Sequence, residues 1–136
     1  MSTSATDLFN YRRRQSSVVH IGSIDMGGDN PIRIQSMTTT NTNDTASSVA
    51  QAERIIEAGG ELVRLTTQGS REAENLKNIN AGIRADGYKT PLVADIHFNP
   101  HVADVAALYA EKVRINPGNY VDPARKFVHQ EYTDEE

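Results

Sequence analysis

Residues 91 to 119 read PLVADIHFNPHVADVAALYAEKVRINPGN, and this stretch decides the fold. The apolar run Leu92-Val93-Ala94 has the composition of a buried strand. Asn99-Pro100 then starts a helix, because proline fits the first helical turn and asparagine suits the cap before it. Val102, Val105, Ala106 and Tyr109 fall on one side of that helix, the strand KVRIN follows, and the turn PGN ends it. Strand, helix and strand in this order call for two parallel neighbours joined by a right-handed crossover.

The same alternation extends upstream. From residue 44 onward, Val49, Ala52, Ile55 and Ile56 make a helix face, Gly59 lies just past its end, and ELVRL at 61–65 reads as a strand. A second helix is expected from a cap near Ser70, with Ala73, Leu76, Ile79 and Ile83 inward and Gly87 breaking it. Before these, VVHIGSI and PIRIQSM flank the turn signal MGGDNP and read as a hairpin, with Gly27 and Gly28 supplying positive φ. No sequence repeat of roughly 20 to 50 residues accompanies the pattern. The order of elements fits a doubly wound sheet or part of a (β/α) barrel.

Residues 1–16 are polar and Arg-rich and read as a tail, ahead of one domain over 17–136. The chain of 136 residues is long enough to bury roughly 70% of the surface its unfolded form exposes. Its net charge of -4 gives no general reason to bind nucleic acid or an anionic membrane, despite the cluster Arg12, Arg13 and Arg14. No apolar run approaches the roughly 20 residues of a membrane span, and the start MSTSATDLFN lacks the apolar centre of a secretory signal. A cytoplasmic location is the resulting expectation. With no cysteine, the chain can form neither a disulfide nor a thiolate-held zinc or iron-sulfur site. At the far end, Asp122-Pro123 opens another helical segment with Phe127 and Val128, and Thr133 and Glu136 have capping-box spacing, a pattern expected of a chain that continues.

Side chains two apart on a strand share a face, so Asp95 and His97 point the same way, as do Arg64 and Thr66, Arg114 and Asn116, and Gln35 and Met37. In parallel α/β folds the C-terminal strand ends gather where ligands bind. Two arginines converging there repel unless an anion lies between them, and guanidinium forks match phosphate oxygens. Two readings stay open: a seat for a phosphorylated small molecule, or a structural pair of Arg64 or Arg114 with Asp95. His97 and His101 have helical metal spacing, but Pro100 starts the helix between them, so no shared metal is expected. In the hydroxyl and amide run MTTTNTNDT, residues 37–45, Thr38 is singled out as a ligand contact and the rest read as a helix-capping loop.

The segments PIRIQSMT, ELVRLT, PLVADIHF and VRINPGN, in this order and spacing, resemble the 4-hydroxy-3-methylbut-2-enyl diphosphate synthase family of isoprenoid biosynthesis. The resemblance runs from about Tyr11 to Asp122, and YRRR with ELVRLTTQG is most like its longer, three-domain form. It implies an α/β fold, a TIM barrel joined to a domain holding a [4Fe-4S] cluster on three cysteines and a glutamate. It further implies reductive opening of 2-C-methyl-D-erythritol 2,4-cyclodiphosphate with loss of water, with electrons from flavodoxin or ferredoxin, and a homodimer when full length. On its pattern Arg64 and Arg114 match diphosphate-binding positions, and Asp95, His97 and Asn116 match polar residues of the substrate pocket. Asp95 and His97 are the catalytic candidates, and Asn116, with Thr38 from the hydroxyl run, is a substrate contact. A whole barrel takes about 250 residues and eight strands. The chain is therefore expected to be a fragment, the N-terminal half of the barrel preceded by a hairpin, without the cluster domain and inactive alone. Competing expectations are a non-catalytic phosphate-binding module and another barrel enzyme, such as a dihydropteroate-synthase-like protein.

Overall fold

A computed structural model of the chain describes Phe9 and residues 14–97 and 99–120. Most of the expected tail and the helical and capping signals after residue 121, including His129, lie outside the described residues. The strands are β1 (Val19–Ile21), β2 (Ile24–Met26), β3 (Gln35–Met37), β4 (Leu62–Thr67), β5 (Leu92–Ile96) and β6 (Lys112–Arg114). Helices α1 (Thr45–Glu57), α2 (Ser70–Ala85) and α3 (Pro100–Ala107) connect the last four strands, and a 3-10 turn spans Pro117–Asn119. Strands β3 to β6 form one parallel sheet in sequential order, as a strand-helix alternation requires.

One face of that sheet is apolar and covered by helices. Val63, Leu65, Leu92, Ala94 and Ile96 pack against Ala52, Ala73, Leu76, Ile79, Ile83, Val102 and Ala106, all buried. These helical residues recur at intervals of three and four, which gives each helix the single apolar stripe that a sheet face can cover. Asp44 caps α1 through its side chain, accepting from the Ser47 N–H, and Asn99 does the same for α3 from His101 N–H. For α2 the cap is Gly69, with no side-chain hydrogen bond, and Ser70 is the first helical residue. The serine expected as cap is thus displaced by one position. Gly59 and Gly87 end α1 and α2 at positive φ, as expected, and α3 closes at Ala107, before Tyr109, which still packs on the core.

The hairpin differs from its expected form. VVHIGSI does not pair with PIRIQSM; β1 folds back on β2 through Gly22-Ser23, with Val19 opposite Met26 and Ile21 opposite Ile24. Gly22 at φ 56 permits this two-residue turn, which a continuous apolar reading of the segment conceals. Gly27 and Gly28 do take positive φ, but their turn links β2 to β3, which opens the parallel sheet. Ile21 and Met26 of the hairpin then pack on Leu62 and Val93, covering the lower part of the sheet's inner face, away from the helices.

A short repeat also emerges. Glu61-Leu62-Val63-Arg64 recurs as Glu111-Lys112-Val113-Arg114, in β4 and β6. Each glutamate holds the start of the preceding strand: Glu61 accepts the Ile34 N–H at 2.8 Å and Glu111 the Leu92 N–H at 2.8 Å. Arg33 and Arg84 complete the two clamps at 3.1 and 2.7 Å. Two residues beyond each clamp's first strand position, an arginine enters the inner face. The expectation of no longer repeat is compatible with this, because only three residues, at the first, third and fourth of four positions, recur. Glu111 also accepts from Asn80 at 3.2 Å. Glu111→Ala takes the acceptor from the Leu92 N–H and the charge partner from Arg84, while Arg84 keeps Tyr88 O and Thr90 O and Asn80 keeps Tyr109 O. Chemical denaturation is expected to show a loss of about 1.5 kcal/mol for this variant.

Candidate functional site

Strand alternation fixes which side chains share the inner face. Opposite Arg64 on β4 stand Met37 of β3 and Val93 of β5; one step higher, Thr66 faces Asp95, and Asp95 faces Arg114 of β6. The lower part of this face is closed by the hairpin, and the polar residues lie toward the C-terminal strand ends, the functional end of parallel sheets.

At that end both arginines meet one carboxylate. Arg64 donates from Nε at 3.1 Å and Nη2 at 2.5 Å to Oδ2 of Asp95, while Arg114 donates from Nη1 at 3.0 Å to Oδ1. His97 joins them, with Nε2 3.5 Å from Oδ2. Arg64 starts one row below Asp95, opposite Val93, and its length lets it rise to the carboxylate. The Asp95 side chain is 2% exposed, against 28% for Arg64 and 45% for Arg114, so an enclosed anion is flanked by two cations open to solvent.

Burial is the strongest single influence on Asp95 and pushes its carboxyl up. The hydrogen bonds and charge of Arg64, then those of Arg114, act the other way and together prevail, holding its pKa below the ordinary aspartate range. Asp95 therefore stays ionised, and two arginines less one aspartate leave one net positive charge. Most of the guanidinium N–H donors remain unspent on Asp95, which uses two from Arg64 and one from Arg114.

The structure thus brings Arg64, Asp95, His97 and Arg114 together. It does not bring Asn116 into the group by a hydrogen bond: Asn116 caps the 3-10 turn, accepting the Gly118 N–H at 3.1 Å. Thr38 is buried, its N–H bonded to Arg64 O at 2.9 Å and its hydroxyl without a partner among the described residues. His101 is exposed in the first turn of α3, apart from His97 on the inner face, and His20 pairs with Asp25 across the hairpin. Sequence reasoning missed Lys112, which shares the inner face beside Val93; the alternation that selected Arg114 and Asn116 also reaches it.

The profile of the GcpE TIM-barrel domain matches residues 16–134. The chain belongs to the GcpE TIM-barrel family. That membership accounts for a parallel sheet with helices along one face. Among relatives of this GcpE domain is the 4-hydroxy-3-methylbut-2-en-1-yl diphosphate synthase (flavodoxin) of Phocaeicola vulgatus, 75% identical over 130 residues. That match covers 96% of this chain and 21% of the relative. Proteins of the same name from Chlorobaculum tepidum and Akkermansia muciniphila are each 51% identical, over 95% and 94% of this chain and 17% and 22% of their own lengths. The GcpE domain described here spans about a fifth of the length of the relatives it matches.

Proposed function

We propose that this chain supplies the N-terminal half of the substrate barrel of a 4-hydroxy-3-methylbut-2-enyl diphosphate synthase, and that Arg64 and Arg114 seat the diphosphate of its substrate. The observation that carries this reading is the pair of partly exposed guanidiniums held on one buried carboxylate, with donors to spare, at the C-terminal strand ends. Its net positive charge suits a dianionic group, and the relatives' name gives a diphosphate product. The substrate in this reading is 2-C-methyl-D-erythritol 2,4-cyclodiphosphate, opened reductively with loss of water in the cytoplasm. Asp95 fixes the spacing of the two arginines, and His97, beside it, is the nearest group for handing a hydrogen bond or proton to the substrate. Thr38 and Asn116, just past the ends of the two outer strands β3 and β6, complete the substrate contacts in this reading.

Electrons come from flavodoxin in this reading, as the relatives' name states of them, with ferredoxin as the alternative donor. The residues present do not fit a [4Fe-4S] cluster. The chain has no cysteine, and among the described residues no three His, Asp or Glu side chains group as a metal site. Cluster ligands therefore belong to other parts of the enzyme, which acts as a homodimer. No helix among the described residues is long and apolar enough to cross a membrane. The test is a kinetic comparison of Arg64→Ala and Arg114→Ala in the complete enzyme. Each is expected to raise KM for the cyclodiphosphate at least tenfold, equivalent to about 1.4 kcal/mol. Unchanged KM and kcat in both would sink the assignment and leave the triad a structural device.

A further inference from the structure

A cleft of about 370 Å³ opens beside the arginine pair, between the loop joining β3 to α1 and the loop joining β4 to α2. Its walls are hydroxyls and amides, among them Thr39, Asn41, Thr42, Thr66 and Gln68, with Glu72 as the one charged member. Thr66 belongs to both places: it lines the cleft and, in the sheet register, stands directly opposite Asp95, about 4.8 Å away across the ladder. Thr66 is thus the link between the cleft and the Asp95 row of the sheet; Arg64, Asp95, His97 and Arg114 do not themselves line the cleft.

The loop on its near side is held by its backbone. Gln51 accepts the N–H groups of Thr39 and Thr40 at 2.9 and 3.2 Å, the Ser48 hydroxyl donates to Asn41 O at 3.1 Å, and the Asn75 amide donates to Thr42 O at 2.7 Å. Thr42, itself buried, donates its hydroxyl to Thr66 O at 2.6 Å and ties the loop to β4. Side chains from α1 and α2 thus grip the main chain of the loop and leave heads facing the cleft. Among the described residues, the Gln68 amide, the Asn41 Nδ2 and the Thr66 hydroxyl have no hydrogen-bond partner, although Asn41 Oδ1 is used by the Asn43 N–H. Holding the loop backbone in advance lowers the entropy cost of binding.

The electrostatics of the two halves differ. The Asp95 end has two cations and one anion; the cleft has no cation and one carboxylate, Glu72, which accepts from Asn43 Nδ2 at 3.0 Å. A phosphate in the cleft would face Glu72 without compensation, whereas an alcohol would find donors and acceptors. We propose that the cleft is a neutral hydroxyl-binding subsite, which takes the uncharged polyol part of a phosphorylated polyol whose anionic part lies on Arg64 and Arg114. This rests on the anion-seat reading above and deepens it by fixing the orientation of the bound molecule: phosphates over β4 and β6, hydroxyl-bearing carbons toward Gln68 and Asn41.

The test is calorimetric titration of the complete enzyme with two probes, inorganic pyrophosphate and 2-C-methyl-D-erythritol 2,4-cyclodiphosphate. Gln68→Ala, an exposed position, is the principal variant, and Asn41→Ala the second. Each is expected to weaken the cyclodiphosphate about fivefold, the effect of one hydrogen bond worth about 1 kcal/mol, while pyrophosphate changes less than about twofold. Equal weakening of both probes, or no change in either, overturns the subsite. Failure of the anion-seat reading looks different: pyrophosphate affinity would survive Arg114→Ala, a result that says nothing for or against selectivity lost at Gln68.

Discussion

Removing both arginines, Arg64→Ala with Arg114→Ala, is expected to destabilise the protein by about 3 kcal/mol. The loss arises from what is left behind. Asp95 would remain enclosed, 2% exposed before the change, with His97 at 3.5 Å as its only remaining partner in the group. Breaking a buried ion pair from one side costs about 3–5 kcal/mol. The lower end applies because both guanidiniums are partly open to solvent, so water enters the space they vacate. The pKa of Asp95 should also reverse direction, since burial pushes it up and only the arginines pull it down. Adding Asp95→Asn to the double variant removes the stranded charge and should recover a large part of the loss in a denaturation experiment. If the triple variant is no more stable than the double, the arginines do not act through Asp95.

Asp95→Asn alone, with both arginines present, should cost about 2 kcal/mol at neutral pH, through the loss of charge-assisted hydrogen bonds to partly exposed donors. The pH dependence gives the sharper reading. Asp95 has a folded pKa below its unfolded value, which is about 3.9. Its contribution is therefore fully present above about pH 4 and is lost as pH falls through the folded pKa. The asparagine variant has no such proton to take up. The stability gap between the two proteins should be constant from neutral pH to about pH 4.5 and should narrow below about pH 4. A gap that narrows already near pH 6, or one that does not respond to acid at all, would show that the carboxylate is not held ionised by the arginines.

Much of this site was legible because strands alternate with a fixed period. Once apolar composition marks the strands, Arg64, Asp95, His97 and Arg114 are selected by belonging to pairs two residues apart at strand ends. The helices were legible for the same reason in a different period: Ala73, Leu76, Ile79 and Ile83 trace one stripe, and all four are buried. What sequence left undecided was whether Asp95 or a ligand sits between the arginines. That depends on Arg64 reaching one row up the sheet, a matter of side-chain length and register that only coordinates give. In this structure the anion between them is Asp95.

Other misses have equally local causes. The Gly22-Ser23 turn was hidden because the residues around it are apolar enough to read as a single strand. The loop at 39–43 read as a capping segment because its organisation is not local: its backbone is held by Gln51, Ser48 and Asn75, residues of the two following helices. Asp44, three residues before the N–H it caps, and the turn in which Asn41 accepts from the Asn43 and Asp44 N–H groups conform to the local reading. The four-residue clamp at Glu61 and Glu111 is too short to register as a repeat, and its meaning appears only when both carboxylates are seen on strand-start N–H groups.

In the proposed reading, Arg64 and Arg114 are held on Asp95 so that they can take a diphosphate. The most direct test is a crystal structure of the complete enzyme with bound 2-C-methyl-D-erythritol 2,4-cyclodiphosphate. Phosphate oxygens are expected within hydrogen-bond distance, about 2.7–3.2 Å, of both guanidiniums, with Asp95 still between them. A diphosphate bound elsewhere, with Arg64 and Arg114 engaged only on Asp95, would contradict it.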